Sequence, residues 1–509
     1  MGRVGAPGVS RLAATRNLQL CPVLNQETSF SEGSELRRWI TIAALFGISA
    51  CCATRVRADV GIVLNESLDT SVARITGSGH SAVYLSRICP AGPVKLRLCG
   101  PREQGSIMSN YTTLGEDEPF EWNIVPLSVF VYGVEDPRNR PLFASWKIKG
   151  ALETNYRESV LRNFCQTRKC QTSHDAEWRE MVGATSERTL YILVVSTTVE
   201  QDQALIDKFN SAPNVNHFNG FRRNCADFTK DVINAYFPHA AHRNAINDFG
   251  MTSPKGVARS FANYAHGQPE ADYHVMHFAQ LPGTTKRSTE CREGTEQLYH
   301  SKKLLVPMAF FAWHELPIAF GSYVLTGRFN PEHEFEQHAT AREVELNRQI
   351  TLAKEDDNLS GAQLAKLEDD KRAERAGVVG SRDEWDSYRA QYDLIMAQAV
   401  EAGTISSRED LASFAKELGE KGTASVDASG APWVELQQDG KIERVGVSPA
   451  NLLAPGSDRM LAYKLMLAHI GETLKSPARQ REDMPEFQIA WNLLQRARPA
   501  DHTSLAMGR

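Results

Sequence analysis

The sequence predicts an α+β fold followed by a mainly helical extension. Short apolar runs typical of strands, at 61–64 and 190–196, are mixed with helical periodicity at 198–209 and 225–236, without the strict alternation of a doubly wound sheet. From 331 to 421 the composition shifts to Glu, Lys, Arg, Ala and Gln, which is typical of solvated helices.

The predicted elements follow in chain order. Alternation of apolar residues predicts strands at 61–64, 80–85, 124–132 and 190–196, and 94–99 is expected to pair with the second of them as a hairpin. Helical spacing predicts helices at 151–164, 198–209, 225–236 and from Pro254 onward. Near the C-terminus, alternation about an Asp-Gly turn predicts a β-hairpin at 433–447.

Residues 304–327 form a strongly apolar segment whose length suits one membrane crossing. His314, Glu315 and two prolines within it argue against a crossing, because a central charge costs about 2.5–3.5 kcal/mol on insertion. The alternative is a pair of buried or membrane-surface helices, and both interpretations stay open at this point.

The N-terminus predicts export. Arg37 and Arg38 precede the apolar run 39–50, as in a secretory signal. Residues 56–58 offer one cleavage site, whereas 48–51 resemble a lipobox with Cys51 as the lipidated residue. We therefore expect a periplasmic or membrane-associated protein. Its organisation would be a leader at 1–58, an α+β domain at 59–300, an apolar segment at 301–328 and a charged helical region with the hairpin at 329–509.

Charge and cysteine content exclude several classes of function. A net charge of −5 with a pI near 6.3 argues against nucleic acid as a partner. Nine cysteines without a C-x-x-C pair argue against a disulfide scaffold or a zinc ribbon. Export permits disulfides, and Cys89 with Cys99 and Cys165 with Cys170 are candidate pairs whose connectivity spacing alone leaves open.

The stretch 218–238, FNGFRRNCADFTKDVINAYFP, carries the clearest chemical signal. With Cys225 as the first helical residue, Asn224 is the N-cap and Asp227 completes a capping box. The helix's positive end and nearby Arg222 and Arg223 both favour a thiolate. The alternative is a small apolar residue that closes a helix start.

A catalytic thiol needs a base, and imidazole has a suitable pKa. The candidates are His80 in the strand GHSAVYL, with His80, Ala82 and Tyr84 on one face, and His217 in the loop before the cysteine. Two H-x-x-H pairs, His239/His242 and His274/His277, raise the question of a metal. Neither pair has the glutamate of H-E-x-x-H, so we predict no metal site and no cofactor.

GHSAVYL followed much later by NCADFT resembles the circularly permuted branch of the papain-like NlpC superfamily, which includes lecithin–retinol acyltransferases and PPPDE-type peptidases. The resemblance covers residues 59–238. It implies a permuted papain-like core with an antiparallel sheet, His80 as the strand histidine and Cys225 as the nucleophile. The family's third polar residue has two candidates, Asn110 and Asn123.

The implied activity is acyl transfer through a thioester, by a hydrolase (amidase or peptidase) or an acyltransferase. The start of the cysteine helix, with Asn224 and Asp227, would support the oxyanion. Export favours a cell-envelope substrate such as a peptidoglycan peptide or a lipid ester. The alternatives are a non-catalytic envelope binding or scaffold protein built on a degenerate core, and an enzyme that docks on the membrane through 304–327.

Overall fold

A six-stranded antiparallel sheet organises the N-terminal half of the computed structural model, which describes residues 57–68, 79–111, 120–162, 180–220, 222–244, 246–248, 250–268, 271–300, 315–326, 329–339, 346, 361–438, 440–475 and 484–499. The strand order is β6-β5-β2-β1-β7-β8. These strands are β1 (Arg57–Asn65), β2 (His80–Leu85), β5 (Ser106–Ser109), β6 (Asn123–Pro126), β7 (Leu190–Thr198) and β8 (His274–Phe278). Residues 1–56 of the predicted leader and Cys165 with Cys170 lie outside the described residues. Arg57 and Ala58, which the prediction also placed in the leader, begin β1.

Both faces of this sheet are buried, because successive residues of β1, β2 and β7 point to opposite faces and those on each face are mainly apolar. The front face, defined here by Ile62, Val83 and Leu193, packs in one apolar cluster with three helices. They are α3 (Val199–Ser211), α4 (Cys225–Tyr236) and α5 (Pro254–His266). The rear face, defined by Ala82 and Ile192, packs against α1 (Leu127–Tyr132) in a second cluster. Along β2, Val83 therefore points to the front face, and Ala82 points to the rear face.

Two predicted strand assignments are wrong. Residues 95–98 (β4, Lys95–Leu98) pair with β3 (Ile88–Gly92), not with β2, which lies between β1 and β5. Residues 124–132 are a strand only to Pro126, and α1 follows. A short apolar run fits a buried strand and a buried helix equally well, so periodicity could not separate them. The β3–β4 hairpin carries the Cys89–Cys99 disulfide, as expected.

The C-terminal region is mainly helical, with a three-stranded sheet that contains the predicted hairpin. The sheet consists of β9 (Thr423–Val426), β10 (Pro432–Gln438) and β11 (Lys441–Gly446), in the order β11-β10-β9. The helices are α6 (Gly294–His300), α7 (Glu315–Thr326), α8 (Pro331–Gln337), α9 (Gly361–Val379), α10 (Arg382–Glu401), α11 (Arg408–Lys421), α12 (Arg459–Lys475) and α13 (Met484–Ala497).

The C-terminal core also takes in residues from the N-terminal half. Ile148 and Leu152 of α2 (Trp146–Tyr156) are buried in the same apolar cluster as Leu418 and Trp491. Conversely, Phe335 of α8 packs in the front-face cluster of the first sheet. Residues 56–509 form one compact unit by packing.

The apolar segment 304–327 is described only from Glu315, where α7 begins. Among the residues that the structure describes, no helix is both long and apolar enough to cross a membrane. Ile318 and Val324 of α7 are exposed.

Candidate functional site

Cys225 is the first residue of α4, and the start of this helix is held by a complete capping box. Oδ1 of Asn224 accepts hydrogen bonds from the backbone N–H groups of Ala226 (2.9 Å) and Asp227 (3.0 Å). The Asp227 carboxylate accepts one from the Asn224 N–H in return. Nδ2 of Asn224 donates to the backbone oxygen of Thr252 at 2.9 Å. The local sequence predicts this cap, and the contact to Thr252 anchors it to the rest of the domain.

The same contacts limit the predicted oxyanion role of the helix start. The N–H groups of Ala226 and Asp227 both donate to the Asn224 side chain, so neither is free to face a substrate. The Asp227 carboxylate accepts from Thr252 Oγ1 at 2.6 Å and from Lys230 Nζ at 3.1 Å. Asn224 and Asp227 therefore position the cysteine, and the backbone N–H of Cys225 is the helix-start donor that the cap does not use.

The Cys225 thiol lies against Ser81, the second residue of β2. Burial raises the pKa of this thiol, although the backbone N–H and the hydroxyl of Ser81 and the N–H of Ala226 pull it back toward the thiolate. Thr229, one turn along α4, donates a hydrogen bond of 3.2 Å to the Ser81 hydroxyl. The sequence-based expectation of a favoured thiolate is therefore reversed in the resting protein, because burial outweighs the helix end.

His80 lies in a different environment. Its ring stacks on Tyr111, with centroids 4.2 Å apart and planes 11° apart. Burial and the nearby Arg188 guanidinium lower the pKa of His80 to about 3, against an opposing effect of Glu180. Among the described residues, Nε2 of His80 is buried and has no hydrogen-bond partner. The imidazole is therefore neutral at physiological pH and has one unused nitrogen.

The alternation of β2 separates the two predicted catalytic side chains. Ser81, which meets α4, shares the front face with Val83, whereas His80 shares the rear face with Ala82 and stacks on a rear-face tyrosine. No described hydrogen bond joins the Cys225 thiol to His80. The structure brings the thiol to the residue after the histidine and directs the ring to the other side of the strand.

Among the described residues, no hydrogen bond joins His80 to either asparagine proposed as a third member. Asn123 lies on the rear face of β6, two strands from β2, which corresponds to about 10 Å. Nδ2 of Asn110 donates to the backbone oxygen of Glu121 at 2.5 Å. Asn65, which no sequence motif singled out, is the direct cross-strand partner of His80. Within the described part of the chain, its buried Oδ1 has no hydrogen-bond partner. As the last residue of β1, it carried no signal before the register was known.

The other histidine candidates also lie apart from the thiol. His217 is exposed in the loop before α4. On β8, Nδ1 of His274 lies 3.1 Å from the backbone oxygen of Asp272, while the His277 ring packs on Tyr191 with centroids 4.7 Å apart. The two β8 histidines thus have different surroundings, as expected for an i, i+3 pair on a strand.

Further residues around His80 are predicted by no local pattern. The sheet and the segment before β7 bring together Tyr111, Arg188 and Glu180. Arg188, which is buried, forms an ion pair with the partly exposed Glu180. Comparison with known proteins finds no family, no curated protein and no solved structure that matches the chain. The chemistry of the site therefore has to be argued from its own residues.

Proposed function

We propose that the chain is an exported thiol hydrolase, of the amidase or peptidase type, or an acyltransferase, with Cys225 as nucleophile and His80 as base on a permuted papain-like core. One observation carries the proposal. Cys225, at the capped start of α4, lies against Ser81 of β2. The preceding residue, His80, has a buried Nε2 for which the described residues supply no hydrogen-bond partner. A buried polar atom without a partner is uncommon and is a candidate for a functional role.

The reaction begins from a neutral thiol and a neutral imidazole. As the sulfur of Cys225 bonds to the substrate carbonyl carbon, its proton passes to His80. The imidazolium then gives that proton to the departing amine or alkoxide, which leaves a thioester on Cys225. Water, or an acceptor hydroxyl or amine, attacks the thioester after His80 takes its proton, and the thiol is restored.

The mechanism requires one movement. The His80 ring has to leave the Tyr111 stack and pass to the other side of β2. Because the backbone fixes the face to which a strand side chain points, the backbone at His80, the first residue of the strand, has to change with it. The lost stacking costs about 0.5–1.5 kcal/mol, which substrate binding can offset. Outside its buried position the imidazole regains a higher pKa and becomes a stronger base.

Export by the N-terminal leader would place this activity in the cell envelope, either in the periplasm or at the membrane, with lipidation at Cys51 as one route. Peptidoglycan peptides and lipid esters are the substrate classes that this location offers. Both contain an acyl carbon that a thiol can attack, so the two classes share the chemistry that the site supplies.

Trapping the thioester tests the proposal. The full chain is incubated with p-nitrophenyl acetate, and the peptide that contains Cys225 is analysed by mass spectrometry before and after hydroxylamine. We expect a hydroxylamine-sensitive acetyl adduct on Cys225 that His80→Ala strongly reduces. The matched controls Cys291→Ser and His217→Ala should retain it. No adduct at Cys225, or equal adduct in His80→Ala, would contradict the proposed pair.

A specific observation favours a second candidate, a non-catalytic envelope binding or scaffold protein with a degenerate core. The opposite orientation of the Cys225 and His80 side chains is what a core that has lost its catalytic pair would show. In that case Cys225→Ala leaves the cellular phenotype intact. A lost phenotype together with a trapped adduct supports the enzyme.

A further inference from the structure

His266, Glu334 and His338 form a cluster at the edge of the first sheet, away from Cys225. One imidazole nitrogen from each histidine and a carboxylate oxygen of Glu334 lie within 4.8 Å of one another. Nε2 of His266 donates to Oε2 of Glu334 at 3.1 Å. Nδ1 of His338 is 3.7 Å from the same oxygen and donates to the backbone oxygen of Glu334 at 3.2 Å, so this nitrogen has to give up its proton before it can bind a metal ion. The two rings are stacked, with centroids 5.1 Å apart.

These separations suit a tetrahedral metal ion. Ligands bound to Zn²⁺ at 2.0–2.1 Å lie about 3.4 Å from one another, close to the two distances measured here. Two imidazoles and one carboxylate are also the protein ligands of His₂Glu zinc sites, in which a water molecule completes the tetrahedron.

The polar contacts of the cluster converge on one carboxylate oxygen. Oε2 of Glu334 accepts hydrogen bonds from His266 and from Tyr273, and His338 lies on its other side. A divalent cation would take the place of the protons that now lie between these groups, because metal binding releases protons from its ligands.

The backbone holds the three residues in place. His266 ends α5, while Glu334 and His338 are an i, i+4 pair at α8, so both point to one side of that helix. The backbone oxygen of His338 accepts a hydrogen bond of 2.7 Å from Val275 of β8. Tyr273 donates to Oε2 of Glu334 at 3.0 Å, as an outer-shell partner of a ligating carboxylate does.

Access to the cluster is open on one side. The side chain of His266 is 39% exposed, whereas those of Glu334 and His338 are 13% and 19% exposed. From this geometry we infer that His266, Glu334 and His338 form a binding site for a divalent transition-metal ion of the Zn²⁺ type, open to water at the remaining position. This site is independent of the proposed thiol chemistry.

Cobalt binding tests the inference directly. The chelator-treated full chain is titrated with Co²⁺, and the visible absorption of four-coordinate cobalt is recorded, followed by displacement with Zn²⁺. We expect one equivalent per chain. His266→Ala, His338→Ala and the isosteric Glu334→Gln should each weaken binding at least tenfold, and Tyr273→Phe about tenfold through the lost outer-shell contact.

His333→Ala is the matched control, because His333 lies on the same helix with an exposed side chain and should leave the affinity within twofold. Near-ultraviolet circular dichroism verifies that each variant is folded, and Glu334→Gln remains informative if an alanine variant is not. Absence of the cobalt spectrum in the wild-type chain overturns the inference. So does an equal affinity of the wild-type and Glu334→Gln proteins, which would place any bound metal elsewhere.

Discussion

The hydroxyl of Thr229 donates a hydrogen bond of 3.2 Å to the hydroxyl of Ser81 and so links α4 directly to β2. One turn before Thr229 on the same helix, the Cys225 thiol meets the same serine. Because side chains alternate along a strand, contact with Ser81 directs His80 away from the helix. Any catalytic use of His80 therefore has to involve a change in the backbone at the start of β2.

The resting thiol of Cys225 should react slowly at neutral pH. Since burial raises its pKa, the alkylation rate with iodoacetamide should keep rising through pH 9 and show no plateau near pH 7. Ser81→Ala removes a hydroxyl that favours the thiolate, and we expect about tenfold slower labelling at pH 8. Peptide-resolved mass spectrometry measures both rates, with buried Cys291 as an internal reference. A plateau below pH 8 would refute the raised pKa.

His80 should make the protein sensitive to acid. Its folded-state pKa of about 3 lies below the ordinary value of 6.5, so the unfolded chain binds the proton first as the pH falls. The contribution of the neutral His80 to the free energy of unfolding is therefore fully present above pH 6.5. It is lost progressively toward pH 3, and the loss is about 2 kcal/mol at pH 5. His80→Gln should flatten the dependence of Tm on pH in this window, while exposed His217→Gln should leave it unchanged. Parallel curves for wild type and His80→Gln would argue against a neutral buried imidazole.

The N-cap of α4 should contribute measurably to stability. Asn224→Ala removes the acceptor for two backbone N–H groups and should cost about 1–2 kcal/mol in the free energy of unfolding by urea. Asn224→Asp keeps the acceptor and loses the donor to the backbone oxygens of Gly220 and Thr252, so it should cost less. Equal losses in the two variants would show that the Thr252 contact, and not the cap, dominates.

The buried ion pair between Lys149 and Glu187 joins α2 to the segment before β7. Nζ and Oε2 are 2.6 Å apart, and both side chains are 1% exposed. Lys149→Met leaves a buried carboxylate unpaired and should destabilise the protein by about 3–5 kcal/mol in denaturant unfolding. The double variant Lys149→Met/Glu187→Leu should recover most of this loss. If the double variant is as unstable as the single one, packing and not charge is responsible.

Local patterns predicted the local structure well. The capping box of Asn224 and Asp227 is present, because the residues that make it are three positions apart. The alternation of His80, Ala82 and Tyr84 on one face of β2 also holds. Such features depend on contacts within a few residues, and the sequence displays them directly.

Relations across the chain could not be predicted in the same way. Which face of β2 receives α4 depends on how the sheet pairs, and Asn65 becomes a neighbour of His80 only through the register of β1. The thiol pKa was misjudged because helix position and nearby arginines can be read from sequence, whereas burial cannot. The cluster of His266, Glu334 and His338 was missed because His266 and Glu334, which are hydrogen-bonded to each other, lie 68 residues apart in the sequence.

The position of α2 determines how the chain can be shortened. Its residues Ile148 and Leu152 are buried against C-terminal helices. The backbone N–H of Leu142 donates to the backbone oxygen of Val447, and the Leu142 oxygen accepts from Nδ1 of His469, each at 2.7 Å. A fragment that stops after the first sheet would present this apolar patch to water and leave the backbone of Leu142 without two partners. The smallest autonomous unit containing Cys225 must therefore extend through the C-terminal helices.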